Sequence, residues 1–385
     1  MGQERVKPIV FNGKFLTVAP TGVHRVAEEL IHAFERLVIS RRSAIELSDV
    51  TVVAPTSAQR KPSFSMIGVI KRGFASGLPR EYPWEQINLP WIARNALLVN
   101  LCNMGPVFHF DSLTMIHDAQ VYLTPASYSL GFKLWYRLIQ PLLGRTSRGI
   151  LTVSEYSKEQ LVRYGVAPAE KITVIHNGCD HVLANAPAHG FVAASGLDEG
   201  RYVLALSSTQ SHKNIRVLFQ AFADQRLAHL TLVLFGAASK STFESLGFEV
   251  PPNVRFVGRI DDAELAALMI HALAFACPST TEGFGLPPLE AMILGCPAII
   301  APCGALPEVC GDAALQADPH TPDEWVEKIM SLAADPKLRA HMRESGQRQA
   351  ALFTWDTAAR KLAHLLGLNV LDRPGEAGPT DMQSR

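Results

Sequence analysis

Short apolar runs, most of them rich in β-branched residues, alternate along this chain with amphipathic stretches, and that alternation is the pattern of βαβ units built on parallel sheets. The first series of expected strands is Lys7–Phe11, Val50–Ala54, Ala96–Leu101, Leu113–His117, Ile150–Ser154 and Lys171–Ile175. A second series starts at Tyr202–Leu206 and continues with Thr231–Phe235, Val254–Val257, Ala272–Ala276 and Ala298–Ala301. Between them, His181–Gly200 is rich in Ala, Gly and Pro with little periodicity, and it reads as a linker. The expectation is an α/β protein of two doubly wound lobes facing each other across a cleft. Ligands in such sheets bind at the carboxyl ends of the strands. The expected domains are 1–183 and 184–354, followed by a C-terminal helix over 355–371 that crosses back to the first lobe and a flexible tail over 372–385.

A chain of 385 residues is long enough for two such domains. With 36 basic and 36 acidic residues it has neither the charge bias of a nucleic-acid coat nor the composition of a disordered chain. The balance conceals an asymmetry: residues 1–183 hold 20 Lys and Arg against 14 Asp and Glu, so the first half is positive and the rest negative. One lobe is then suited to an anionic surface or ligand. The longest apolar stretch, Leu265–Pro278, is too short to span a membrane and contains His271. Charges occupy the N-terminus where a signal peptide needs its apolar core, so a cytoplasmic location is expected. The six cysteines form no CxxC pair and no Cys/His cluster at zinc spacing, and buried thiols are the simpler reading.

The most informative segment is Pro278-Ser-Thr-Thr-Glu282-Gly-Phe-Gly-Leu-Pro-Pro-Leu-Glu290-Ala. An apolar strand enters a glycine-containing loop, and the loop opens a helix with Pro287 and Pro288 in its first turn, where a missing N–H costs little. Free N–H groups at such a helix start bind phosphate oxygens. Glu282 precedes the loop and Glu290 lies about two turns inside the helix, so a carboxylate is available at each end of an extended ligand. A carboxylate accepts two hydrogen bonds from a vicinal diol, which suits sugar or ribose hydroxyls. An ordinary helix start with two solvated glutamates is the alternative.

With these residues the chain resembles the retaining, family 4 type glycosyltransferases of the GT-B fold, whose Glu-x7-Glu motif matches Glu282 to Glu290. The likeness continues through Thr152-Val-Ser-Glu-Tyr-Ser157, Val174-Ile-His-Asn-Gly178-Cys-Asp180, Phe256-Val-Gly-Arg259-Ile260 and Cys303-Gly-Ala-Leu-Pro-Glu308, and it covers about residues 8–365. The resemblance implies that Glu290 holds the nucleotide ribose and Glu282 a hydroxyl of the donor sugar. It also implies that the loop of Gly283, Phe284, Gly285 and Leu286 meets the diphosphate or sugar, with Arg259 and Gly22 on the donor side. The first domain would then take the acceptor and the second the nucleotide sugar.

Lys213 follows a strand and precedes a helix, where a cation stabilises charge developing on a departing diphosphate. A solvated surface lysine is the rival reading. The family often has a second basic residue here, and in this chain His212 occupies that place. His117 and Asp118 end a strand at the expected cleft; an imidazole there hydrogen-bonds a sugar hydroxyl or an acceptor group, or is a satisfied structural histidine. Thr21 and Gly22 open a helix whose N-terminus is another anion site, with Thr21 and Asp118 expected on the acceptor side. The chain lacks Asp-x-Asp, the metal-holding pair of the other large glycosyltransferase fold, so a metal-independent reaction without a resident cofactor is expected.

For the acceptor, residues 60–94 carry six basic and two acidic residues among Phe64, Met66, Ile67, Phe74, Trp84 and Trp91. Ser129–Arg148 adds Phe132, Lys133, Trp135, Tyr136, Arg137, Arg145 and Arg148. Such mixtures seat a protein on an anionic membrane face, although plain surface over a core accounts for them equally. The expected activity is transfer of a hexose, mannose from GDP-mannose, to a saccharide or polyprenyl-diphosphate-linked oligosaccharide. That donor rests on the likeness of Asn103-Met-Gly-Pro106 to His117-Asp118 to bacterial mannosyl- and rhamnosyltransferases of surface-polysaccharide pathways. A GT-B nucleotide-sugar epimerase and a non-catalytic two-lobed sugar-binding protein are the alternatives.

Overall fold

The computed structural model describes residues 7–40, 45–73 and 83–368. The 372–385 tail and Phe74 therefore lie outside the described residues. The strands are β1 (Ile9–Asn12), β2 (Val50–Ala54), β3 (Gly68–Lys71), β4 (Leu97–Asn100), β5 (Ser112–Met115), β6 (Gly149–Thr152), β7 (Ile172–Val174), β8 (Tyr202–Leu206), β9 (Thr231–Phe235), β10 (Val254–Gly258), β11 (Ala274–Cys277), β12 (Ala298–Ile300) and β13 (Leu315–Gln316). They form two parallel sheets, ordered β3-β2-β1-β4-β5-β6-β7 and β10-β9-β8-β11-β12-β13. Helices cover both faces, so the central strands β1, β4, β8 and β11 read as apolar runs with hardly a polar interruption.

Two strands were not expected from the sequence. β3 is an edge strand whose residues are mostly exposed, and β13 has two residues. Neither position demands an apolar run. The stretch expected to be a linker is also more structured than its composition suggests. It holds the short helices Asp180–Leu183 and Gly190–Ala194, buries Val192 and Leu197, and bonds to the second lobe through Ala188 N–H to Ala263 O.

Strand order reverses between β1 and β4 in one sheet and between β8 and β11 in the other. These are the switch points, where crossovers diverge to opposite sides and open a crevice at the strands' carboxyl ends. The two crevices face each other. A single apolar core joins the lobes behind them, running from Phe11 and Phe34 through Val153 and Ile175 to Phe284, Phe353 and Trp355. The helix Pro336–Ala350 packs on Leu286–Ile293 of the second lobe, and the next helix, Trp355–Leu365, packs on Gly22–Ile39 of the first. Nearer the cleft, Arg25 makes a bidentate pair with Asp262 at 2.8 and 2.7 Å, bridging helices of the two lobes.

Candidate active site

The segment after β11 and the segment after β8 meet because these strands are neighbours at the switch point. Lys213 ends the one-turn helix Ser211–Lys213 and its Nζ lies 2.7 Å from Glu282 Oε1. Ser279 Oγ donates to the same carboxylate oxygen at 2.7 Å. Asn214, in a left-handed conformation at φ 50°, donates to the carbonyls of Pro278 and Pro319 and so fixes the turn that presents Lys213. Thr280 N–H donates to His212 O. Burial opposes the charge of Glu282, but the Lys213 ammonium and the bonds from Lys213 and Ser279 hold its carboxyl below the ordinary range. Burial likewise opposes the charge of Lys213, and Glu282 outweighs it, so the ammonium is retained.

The Glu282 loop is held on every side. Ala305 N–H donates to Glu282 O at 2.9 Å. From the first lobe, Ser154 Oγ and Ser157 Oγ donate to Gly283 O at 2.6 and 3.0 Å, and Tyr156 Oη lies 3.2 Å from Thr281 Oγ1. Glu308 reaches back from the second lobe to accept the N–H groups of Glu155 and Tyr156 and pairs with His176 at 2.9 Å. The Thr152–Ser157 and Cys303–Glu308 motifs therefore clamp the loop between the lobes. Phe284 anchors it from below, buried against Phe353 with ring centroids 5.8 Å apart.

Two glycines in the loop are dictated by geometry. Gly285 caps the helix Leu286–Ile293 at φ 99°, and a Cβ there would meet Leu306 Cδ2 at 2.6 Å. A Cβ on Gly283 would meet Asp118 Cβ at 2.8 Å. Pro287 and Pro288 lack N–H groups, so the donors at this helix start come from the loop. Among the described residues, the structure records no hydrogen bond from the N–H groups of Gly283, Phe284 and Gly285. Free N–H groups before a helix start are the kind of donors that bind anions.

Asp118 lies against Gly283, on the loop side of the cleft rather than apart from it, and burial raises its carboxyl. His117 is buried. Its ring Nε2 is 2.8 Å from Leu101 O, an acceptor, so the neutral imidazole carries its proton there and Nδ1 is left as an acceptor. Burial and the neighbouring His24 push His117 down to about 4, so it is neutral at pH 7. His212 is buried as well, and burial together with Lys213 lowers it. At neutral pH it adds no second positive charge beside Lys213. Thr21 caps the helix Gly22–Ile39. Arg259 is exposed just after β10.

Glu290 points into an adjoining pocket walled by Gly22, Arg25, Asp262, Leu265, Leu286 and Leu294. Sequence reasoning missed two further residues here. His181, in the stretch expected to be a linker, packs on Glu290, and Trp355 packs on His181. Sequence reasoning also missed Ser279 and Asn214, whose importance depends on how the two loops meet.

The residues of the aromatic and basic stretches divide between core and surface. Phe64, Ile67 and Trp84 are buried in cores, and Phe132 stacks between Tyr128 and Tyr136 at 5.2 and 4.0 Å. Met66 and Trp91 are exposed, and a further exposed apolar stripe is formed by Leu130, Leu134 and Leu138, four residues apart on the helix Leu130–Thr146, with Lys133 and Arg137 beside it and no acidic residue in the helix. Among the described residues, no helix is long and apolar enough to cross a membrane.

Two family models match consecutive parts of the chain: Glycosyltransferase Family 4 over residues 20–183 and Glycosyl transferases group 1 over residues 192–349. The chain belongs to the family 4 type glycosyltransferases of the GT-B fold. It is 28% identical over 277 residues to the O-antigen chain mannosyltransferase B of Escherichia coli, a match covering 66% of this chain and 70% of that protein. It is also 28% identical over 244 residues to the GDP-mannose:cellobiosyl-diphosphopolyprenol alpha-mannosyltransferase of Komagataeibacter xylinus, covering 60% of this chain and 59% of the relative, less than two thirds of its length. Among solved structures, Anabaena HepE in complex with UDP and glucose superimposes with a TM-score of 0.70 at 20% identity, covering 94% of this chain and 99% of that one.

Proposed function

We propose that this protein is a retaining, metal-independent hexosyltransferase that moves mannose from GDP-mannose to a saccharide or polyprenyl-diphosphate-linked oligosaccharide in surface-polysaccharide synthesis. The observation that carries the reading is the switch-point constellation: Lys213 paired with Glu282 at 2.7 Å, beside the unused amides of Gly283, Phe284 and Gly285. The donor's diphosphate takes these amides and the Lys213 ammonium, and Glu282 accepts from a hydroxyl of the sugar. Glu290 holds the ribose diol in the adjoining pocket. The names of the two mannosyltransferase relatives support the sugar, and the second also supports the guanine nucleotide.

As the glycosidic bond breaks, its electron pair moves onto the diphosphate oxygen. Lys213 and the loop amides stabilise that charge without rearranging. The acceptor hydroxyl attacks from the same face and passes its proton to the departing phosphate oxygen. Neutral His117, its Nε2–H held by Leu101 O, positions a hydroxyl through Nδ1. The nucleotide sugar is a co-substrate, and this chemistry uses no resident cofactor.

The stripe of Leu130, Leu134 and Leu138 supports seating of the first lobe on the cytoplasmic face of a membrane, with Lys133 and Arg137 at anionic headgroups. A lipid-linked acceptor would then enter the cleft without leaving the bilayer surface. The deciding test is thermal stabilisation by a panel of nucleotide sugars, followed by product analysis with the stabilising donor in EDTA. Stabilisation by GDP-mannose and a mannosylated product support the reading. No stabilisation by any nucleotide sugar, or activity that returns only with Mg²⁺ or Mn²⁺, contradicts it.

A further inference from the structure

His181 belongs to neither lobe's sheet. Its side chain is 6% exposed, and it lies between the first residue of the crossing helix and the carboxylate of Glu290. The indole Nε1–H of Trp355 donates to His181 Nδ1 at 3.1 Å. Indole is a donor and never an acceptor, so Nδ1 must present its lone pair, and the neutral ring therefore carries its proton on Nε2. Nε2 lies 3.1 Å from Glu290 Oε1. The contact is close without hydrogen-bond alignment, and Nε2 is buried with no other partner. A buried N–H facing a carboxylate at this distance has no alternative use. Trp355 is itself fixed, its backbone N–H donating to Asp180 Oδ1 at 2.8 Å.

We propose that His181 is a positioning residue for the nucleotide: with its tautomer set by Trp355, it seats the Glu290 carboxylate so that both oxygens meet the ribose diol. This rests on the assignment of Glu290 to the ribose. His181 also lines the pocket, and its effect on the nucleotide runs through Glu290, whose carboxylate lies against Nε2. The start of the helix that returns to the first lobe is thereby tied to nucleotide affinity.

The test titrates GDP and UDP, each beside its 2′,3′-dideoxy form, into the wild type, His181→Asn, His181→Gln and Trp355→Phe. Asn restores the acceptor for Trp355 but not the donor towards Glu290, whereas Gln reaches Glu290 with an N–H. The expected result is a loss of about tenfold in affinity for His181→Asn, the usual worth of the hydrogen bond to a charged group that Nε2–H makes once Glu290 is seated on the diol. His181→Gln should stay within about threefold of wild type, and Trp355→Phe should fall between them. With the dideoxy nucleotides the differences should vanish, because nothing remains for Glu290 to hold. Equal losses with the ribo and dideoxy forms would make His181 a structural residue and overturn the proposal. If wild type binds both forms equally, the ribose assignment itself fails, and the proposal with it. Should His181→Asn not fold, the comparison of His181→Gln and Trp355→Phe on the two forms decides in the same way.

Discussion

Lys213→Met keeps the apolar stem of the side chain and removes the ammonium that lies 2.7 Å from Glu282. Glu282, 14% exposed, is left with Ser279 Oγ donating at 2.7 Å and the weaker Cys277 Sγ at 3.9 Å. Removing one partner of a buried pair while the other stays charged costs about 3–5 kcal/mol. Lys213 retains 21% exposure, which places the loss near the lower end, about 3 kcal/mol. For a lobe of this size that is roughly 6–12 °C in melting temperature. The pH dependence identifies the cause. In the wild type the Glu282 carboxyl lies below its ordinary value, so it contributes stability above the unfolded value of 4.5 that is lost as pH falls through the native one. In the variant only the Ser279 bond and weaker influences such as that of His212 still oppose burial, so the native value is expected to rise above the unfolded one and stability to fall as pH rises through it. The deficit should therefore grow from about pH 4.5 upward. Melting curves followed by tryptophan fluorescence between pH 4.5 and 8 measure it. Lys213→Met with Glu282→Gln should regain most of the stability while kcat stays down by about 10²–10³, the usual loss for one charge-stabilising donor. A deficit that is flat in pH, or below about 1 kcal/mol, the worth of an exposed pair, would refute the argument.

The remaining expectations concern ligands. Glu290→Ala should weaken GDP binding by about tenfold or more, whereas Glu282→Ala should mainly lower kcat; calorimetric titration of GDP separates the two, and unchanged affinity in the Glu290 variant contradicts its role. NMR of the first product from an α-linked donor should show an α-linkage. A β-linked product would move His117, whose Nδ1 is left as an acceptor by the contact of Nε2 with Leu101 O, into the role of general base. Leu134→Glu should abolish co-sedimentation with vesicles containing anionic lipid while leaving transfer to a soluble saccharide unchanged; undiminished co-sedimentation removes the membrane reading.

Much of the fold was legible because strands buried on both faces must be apolar throughout, and a reader of the chain sees them as runs. The two strands that escaped, β3 and β13, are at sheet edges, where neither length nor polarity is constrained. The Glu282–Glu290 segment was legible for a different reason. Strand, loop, capping glycine and helix are contiguous, so local geometry alone brings Glu282, the loop amides and Glu290 to one carboxyl end. Which residues from other elements complete the site was not. Lys213 and Glu282 are 69 residues apart and meet because β8 and β11 are neighbours at the strand-order reversal, which no local pattern encodes. The serines that hold Gly283, the carboxylate of Glu308 and the His181–Trp355 pair come from positions 126 to 174 residues away. Likewise, apolar periodicity marks which residues need cover, but not which of them the neighbours leave bare: Phe64 and Trp84 found a core, and Leu130, Leu134 and Leu138 did not. Amino-acid order determined the elements and the chemistry each could carry. Only the strand order within each sheet and the packing of one lobe on the other decided which groups share a site, because contacts between distant segments are set by topology and packing rather than by spacing along the backbone.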